Sequence, residues 1–540
     1  MPKIKPPQAR AQHNSRCVAR AALCLLAALG FSSKSYADAL RAAKVFSDNM
    51  VLQRNCPVPV WGWARPGEIV KVEFKGQTQS ATAGTDGKWM VRLDPLSVCS
   101  EPETLRVSGS DSGKAEFGNV LVGDVWLASG QSNMELRFTA QVPPDTHSAN
   151  PQIRLAGGIG TLSPEPGGNR FPSASWKECT TENLLGFSRA GYYFARDLQQ
   201  KLSIPIGVIS MAMGCSSIET WMPPEAFSAH AGWSGELAEI DRMLEIFRAK
   251  DKYSEAERTG FMKDHAATRY GRPTAGAYIK DGKPIEGKFD FALWHSLVVR
   301  PSTLYFHAVS SLCPFAIRGV IWYQGETNAN DPEYAQKQQA LIESWRRIWG
   351  LGDFPFYTVQ IAPFRGYPTL TDLWIQQYKT VRLVGNTGIV PTVDIGEIDQ
   401  VHPVNKWDVG LRLAARALHD SYGQKDVVAS GPVYLSQEVK GAKAVIRFTQ
   451  VHGGLTTRDG NPPDWFEIAG ADGKFFKAEA KIVGDTVEVS SPDVLIPQSV
   501  RCAWSQTAQP NLANMDGWPI WPFNTVLSFF SEGRSSHGTP

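Results

Sequence analysis

The chain predicts an α/β protein: a doubly wound parallel sheet, flanked on both sides by β-rich domains of sandwich type. Three observations carry this. From Asn119 to about Gly423, apolar runs of strand length alternate with segments of helical period. Before Asn119, and again from about Gln424 to the end, only short strands and turn formers occur. And 540 residues are too many for one hydrophobic core, so two to four domains are expected.

The chain opens on an export leader, predicted over residues 1–37. Lys3, Lys5, Arg10, Arg16 and Arg20 precede the apolar run Ala21 to Phe31, and Ser35-Tyr36-Ala37 ends in a cleavage pattern of small residues. The run is too short to span a bilayer. The mature protein is therefore expected to start near Asp38 and to be exported, periplasmic or extracellular. A net charge of +2 gives no electrostatic case for binding nucleic acid. Cys56, Cys99, Cys179, Cys215, Cys313 and Cys502 remain after the leader. They are too sparse for a disulfide scaffold, although one or two bridges are allowed, and no CxxC spacing suggests a metal site.

Residues 38–118 form the first β domain. Val58-Pro-Val-Trp-Gly-Trp, Ile69 to Phe74, Lys88 to Leu93 and Thr104 to Val107 read as strands, separated by Arg65-Pro-Gly, Lys75-Gly and Thr85-Asp-Gly. Gly109-Ser-Asp-Ser-Gly113 lacks the central serine of a nucleophile elbow and reads as a turn. In the α/β domain, residues 119–423, a buried strand ends at Gly130. Ser188 caps a helix with Ala190, Phe194, Leu198 and Leu202 on one face, and strand Ile206 to Ser210 follows. Ile317 to Tyr323 is a strand, and Asp331-Pro332 opens a helix closed by Gly350. Strand Phe356 to Ile361, helix Leu373 to Val384, strand Ile389 to Asp394 and helix Asn405 to His419 complete the pattern. The charged and Gly/Lys-rich stretch from about 225 to 300 is too long for a plain connection and reads as an insertion. Residues 424–540 return to β, with Ala444 to Phe448 and Thr486 to Val489.

The chemistry centres on Leu121 to Glu135, LVGDVWLASGQSNME. A strand runs into a tight turn with Ser132 where a helix begins, so its hydroxyl sits at the carboxyl edge of a sheet beside unpaired amides. Those are the needs of an acyl-transfer nucleophile with an oxyanion site; by itself such a serine is more often a helix cap. The block GDVWLASGQSNME resembles the sialate O-acetylesterase family, a branch of the SGNH (GDSL-like) hydrolases. The resemblance implies a flavodoxin-like sheet and makes Ser132 the nucleophile. It extends over nearly the whole mature chain, thinly in the insertion.

Three further blocks fit the same family. Met213-Gly-Cys-Ser-Ser-Ile-Glu-Thr-Trp is similar to its Trp-Gly-Gly-Thr-x-Ile-Glu-x-Trp, which makes Gly214 an oxyanion donor; Met213 replaces the Trp and Cys215 the second Gly. Val320-Ile-Trp-Tyr-Gln-Gly-Glu-Thr-Asn looks like its Trp-Tyr-Gln-Gly-Glu block. Gln324 is then a side-chain oxyanion donor, and Glu326 either anchors the loop or orients the base. Of ten histidines, only His402 follows a sheet strand with an acid nearby, in Asp394-Ile-Gly-Glu-Ile-Asp-Gln-Val-His-Pro. Asp399, three residues earlier, has the Asp-x-x-His spacing of an orienting acid, while Gln400 stands where this branch often has Asp. His295, His307 and His419 read as core or helix-surface residues.

The resemblance implies an esterase that hydrolyses O-acetyl esters of sialic acids or related sugars through an acyl-enzyme, with Ser132, His402 and Asp399 catalytic and Ser132, Gly214 and Gln324 forming the oxyanion hole. Neither metal nor cofactor is called for. The alternatives are an acetylesterase of plant or microbial polysaccharide such as xylan or pectin, and a non-catalytic glycan-binding protein with stacking tryptophans, of which the chain has 17.

Overall fold

The computed structural model describes residues 40–144, 148–157, 175–249, 251–261, 279–280, 283–284 and 291–527. The expected leader and much of the expected insertion lie outside the described residues. Contacts divide the chain into two compact units: one holds the chain up to Ala43 with Val60–Val91 and Arg106–Glu116, the other Lys44–Pro59, Arg92–Leu105 and Phe117 onward.

The first unit is β. Ile69–Phe74 pairs antiparallel with Gln77–Thr82 through a two-residue turn, Lys75-Gly76, whose φ angles of 46° and 77° give the hand that matches strand twist. Val70, Val72 and Phe74 point inward while the residues between them are more exposed, the period of a one-sided sheet.

The second unit is built on a run of seven neighbouring strands in a larger sheet, in which Val51–Gln53 also pairs, parallel, with Lys114–Gly130. The order of the seven is Lys177–Cys179, Asn150–Gly157, Ile206–Ala212, Lys114–Gly130, Gly319–Tyr323, Phe356–Val359 and Thr387–Val390. All pairs are parallel except the first, where Lys177–Cys179 runs against Asn150–Gly157. The sheet is therefore mixed, and larger than the sequence predicts. Asn150–Gly157 escapes a reading by hydrophobicity because Arg154 lies in its middle. That guanidinium is buried, held by Glu178 at 2.8 Å and Asn119 at 3.1 Å, partners that only the fold supplies.

Val120 to Gly130 are buried without interruption, as a central strand covered on both faces requires. Helix Arg189–Leu202 packs along Trp407–Asp420, and Tyr334–Trp349 along Leu370–Leu383. The predicted caps form: Ser188 Oγ accepts from Gly191 N–H at 3.0 Å, and Gly350 ends its helix at φ 63°. The closing strand is shorter than predicted, Thr387–Val390; beyond it Thr392 turns to bond Gln360.

After residue 424 two four-stranded antiparallel sheets share one core, with Ile446, Val487 and Val489 from one meeting Phe466, Ile468 and Val500 from the other. Among the described residues no two cysteines form a disulfide. Among the described residues no helix is long and apolar enough to cross a membrane.

The turn after the central strand is fixed by one close approach. Gly130 has φ 132°, and a Cβ placed there would lie 2.2 Å from the Tyr323 carbonyl oxygen of the neighbouring strand. Only glycine fits. Gly130→Ala is expected to lower stability by about 3 kcal/mol or to prevent folding, read by urea or thermal unfolding.

Candidate active site

Each residue of the Gly130 to Met134 block has a separate place. Gln131 donates its backbone N–H to the Tyr323 carbonyl at 2.9 Å, and its side-chain oxygen accepts from Gly325 N–H at 3.2 Å and Thr327 N–H at 3.4 Å. This ties the turn to the loop at the end of the next strand. Ser132 opens the short helix Ser132–Glu135 and stays partly exposed, while Met134 is buried beneath it. Asn133 is buried and donates from Nδ2 to Glu326 Oε1 at 2.5 Å and to the Val401 carbonyl at 3.0 Å.

That second bond reaches the residue before His402. His402 lies 270 residues from Ser132 in sequence, yet its Nε2 is 2.8 Å from Ser132 Oγ. The residue keeps contact with solvent. Partial burial of the imidazole, followed by the positive charge of Lys406, holds it below its ordinary range. A base here stays neutral, and able to accept a proton, to a lower pH than a free histidine.

The other predicted residues are brought near the pair in different ways. Gly214 is adjacent: a Cβ built on it would sit 3.6 Å from Ser132 Cβ. Its amide, however, donates to Glu135 Oε2 at 2.7 Å, while Glu135 Oε1 accepts from Arg137 at 2.9 Å. Cys215 holds the left-handed conformation at φ 58°, which explains why the related block has glycine at that position. Its thiol is pushed up to about 12 by burial and by the charges of Glu326 and Glu135, so it stays protonated at neutral pH.

The side-chain amide of Gln324 is engaged away from Ser132. It is fully buried, and its Nε2 donates to the Ser216 carbonyl at 3.1 Å and to Asn328 Oδ1 at 2.8 Å, while Oε1 accepts from Tyr334 at 2.9 Å. It belongs to a polar web behind the site. There Asn328 also accepts from Ile218 N–H, and Lys337 joins Glu219 at 2.8 Å to Asp331 at 2.7 Å. This web holds the Gly214 and Glu326 loops together.

Asp399 is not brought to His402. It is 75% exposed in its side chain and pairs with Arg365 at 2.8 Å, because the Glu397–Gln400 turn directs it outward. Among the described residues no carboxylate bonds the second nitrogen of His402. The orienting bond expected from the Asp-x-x-His spacing, and the raised imidazole pKa it would bring, are therefore not features of this arrangement. Glu326 is buried, and burial pushes its carboxyl up against the opposing bond from Asn133. Its Oε2 and Asn133 Oδ1 are both buried with no partner. Asn133, Glu135 and Lys406 are the neighbours that sequence reasoning missed; the only signal for the first two was their position beside Ser132.

Comparison with known proteins places the chain among carbohydrate esterases. Residues 293–419 match the family described as carbohydrate esterase, sialic acid-specific acetylesterase. The sialate O-acetylesterases of Mus musculus and Homo sapiens are each 26% identical to the chain. The alignments span 461 residues (77% of this chain, 80% of the mouse protein) and 470 residues (78% of each), respectively. The crystal structure of a carbohydrate acetylesterase from Xanthomonas citri is 33% identical, with a TM-score of 0.72, covering 90% of this chain and 99% of that one. The chain belongs to the sialic acid-specific acetylesterase family of carbohydrate esterases. It is a carboxylic ester hydrolase.

Because Gln324 pairs three buried groups, Gln324→Ala should cost stability before it costs chemistry. Unfolding experiments should show a loss of about 2 kcal/mol, because the buried Ser216 carbonyl loses its partner while Asn328 Oδ1 keeps Ile218 N–H and Tyr334 keeps the Gln324 carbonyl. Turnover per folded molecule should stay within about tenfold of wild type, less than the loss from removing an oxyanion donor.

Proposed function

We propose that the protein is an exported O-acetylesterase acting on sialic acids or related acetylated sugars, with Ser132 as nucleophile and His402 as its base. The observation that carries the mechanism is the 2.8 Å contact between Ser132 Oγ and His402 Nε2. His402 takes the serine proton as Oγ attacks the acetyl carbonyl, then returns it to the departing sugar hydroxyl. Water, activated by the same imidazole, releases acetate and restores Ser132. The Ser132 amide, at the head of its helix, is one candidate donor to the oxyanion. The Gly214 amide becomes a second when Glu135 gives it up. No step calls for a metal or cofactor.

The sugar assignment is supported by the names of the relatives, and export by the basic and apolar leader in the sequence. The five parallel strands other than Asn150–Gly157 run in the order second, first, third, fourth, fifth, which favours a flavodoxin-like description of the sheet.

Two experiments test the chemistry. Ser132→Ala should fold normally and lose about 10⁴-fold in turnover of acetylated sialic acid and of 4-nitrophenyl acetate; retention of a tenth of the activity rules out the nucleophile. For the wild type, kcat/KM should fall on the acid side with a midpoint below ~6.5, because the lowered imidazole pKa keeps the base neutral further into acid. A panel with acetylated xylan and pectin separates sialate from polysaccharide specificity.

The acid question has its own pair of variants. With Asp399 turned to Arg365, Asp399→Asn should stay within about twofold of wild type, as expected for an exposed ion pair. Glu326→Gln, which removes the charge in nearly the same volume, should also retain activity. A loss of several orders in the first would mean that Asp399 reaches His402 during turnover, and the same loss in the second would make Glu326 the orienting carboxylate.

A further inference from the structure

The loop that carries His402 is fastened on both sides of the imidazole. Before it, the Val401 carbonyl accepts from Asn133. After it, the Pro403 carbonyl accepts from Lys406 Nζ at 2.5 Å, and Val404 N–H donates to Glu397 Oε1 at 2.9 Å. Lys406 is 1% exposed, an unusual place for a lysine, which is almost never fully buried unless paired. Among the described residues no carboxylate lies within ion-pair distance of it. Its other neighbour is the Tyr323 ring, 5.6 Å away at the end of the strand next to Gly130. A buried cation without an anion is costly, and the cost falls beside the candidate base.

We propose that Lys406 is a positioning residue for His402: its ammonium anchors the Pro403 carbonyl and holds a positive charge against the imidazole. The anchor fixes the loop, so that Nε2 stays on Ser132 Oγ without a carboxylate on the other ring nitrogen. The charge opposes protonation of His402 and keeps it available as a base. Three charged groups bear on the lysine besides Tyr323 and His402. Burial disfavours its charge, as does Arg189 from the neighbouring helix, bringing the ammonium to about 7; Glu326 and Glu397 favour it. Arg189 is itself buried, with Nε unpartnered. The inference rests on His402 serving as the base.

The test is the pH dependence of kcat/KM for 4-nitrophenyl acetate, with folding followed by circular dichroism. Lys406→Met removes both anchor and charge in nearly the same volume. Turnover is expected to fall about ten- to a hundredfold with KM little changed, and the acid limb to move upward by about half a pH unit or more. Lys406→Gln keeps a neutral donor and is expected to show the same upward movement with a smaller loss of turnover. An acid limb identical to wild type in Lys406→Gln, or in a folded Lys406→Met, overturns the proposal and leaves the lysine a structural residue. If Lys406→Met does not fold, the glutamine variant decides. His402→Gln separates the two readings: if it stays active, the base assignment fails; if it is inactive while both lysine variants keep the wild-type profile, only the present inference fails.

Discussion

The site depends on how closely two parallel strands can meet at their carboxyl ends. Lys114–Gly130 and Gly319–Tyr323 stay in register to their last pair, Gly130 against Tyr323, and the missing side chain at Gly130 lets the backbones touch. From that contact the chain turns at once, and Gln131 bonds back to Tyr323 and to the loop beyond it. Ser132, the Glu326 loop and the ring of Tyr323 are thereby assembled at one sheet edge, and the His402 loop is drawn in by Asn133. A bulkier residue at Gly130 would separate all of these at once.

Around this edge the protein buries an unusual amount of polarity and satisfies most of it locally. The Gln324, Asn328, Glu219, Asp331 and Lys337 web supports the floor through hydrogen bonds and two buried ion pairs. Such groups contribute modestly when paired and cost heavily when orphaned, so the web resists rearrangement. Beside the nucleophile the balance differs. Glu326 and Lys406 are both buried, but hydrogen bonds lead each to a different support of the His402 loop: Glu326 through Asn133 to Val401, and Lys406 to Pro403. The imidazole is thus held by its backbone, and its protonation is governed by burial and a nearby cation. In the usual triad the base is held by a carboxylate on its ring, which favours the imidazolium. The present arrangement favours the neutral ring, and the two displace the imidazole pKa in opposite directions.

Glu135 adds a constraint of its own. Its carboxylate occupies the Gly214 amide, the second oxyanion donor of the proposed mechanism, while Arg137 holds its other oxygen. Use of that amide in the reaction requires the carboxylate to leave it, with Arg137 offering the alternative partner.

The sequence by itself determined whatever local rules control. The central strand was legible because eleven residues from Val120 are suited to burial, the helix after Ser188 because of its cap and period, and Ser132 because of the strand-to-turn break and the block around it. His402 was reachable because it follows the last sheet strand. What tertiary structure decided are the contacts whose partners lie far apart in the chain. Asn150–Gly157 became a strand because Glu178 and Asn119 receive Arg154. Gln324 went to the web because Tyr334, Ser216 and Asn328 converge on it, and Asp399 went to Arg365 because the turn points it outward. A three-residue spacing permits an acid to reach an imidazole but does not set the direction of its side chain. That direction, like the burial of Lys406, follows from packing between elements that no local pattern encodes.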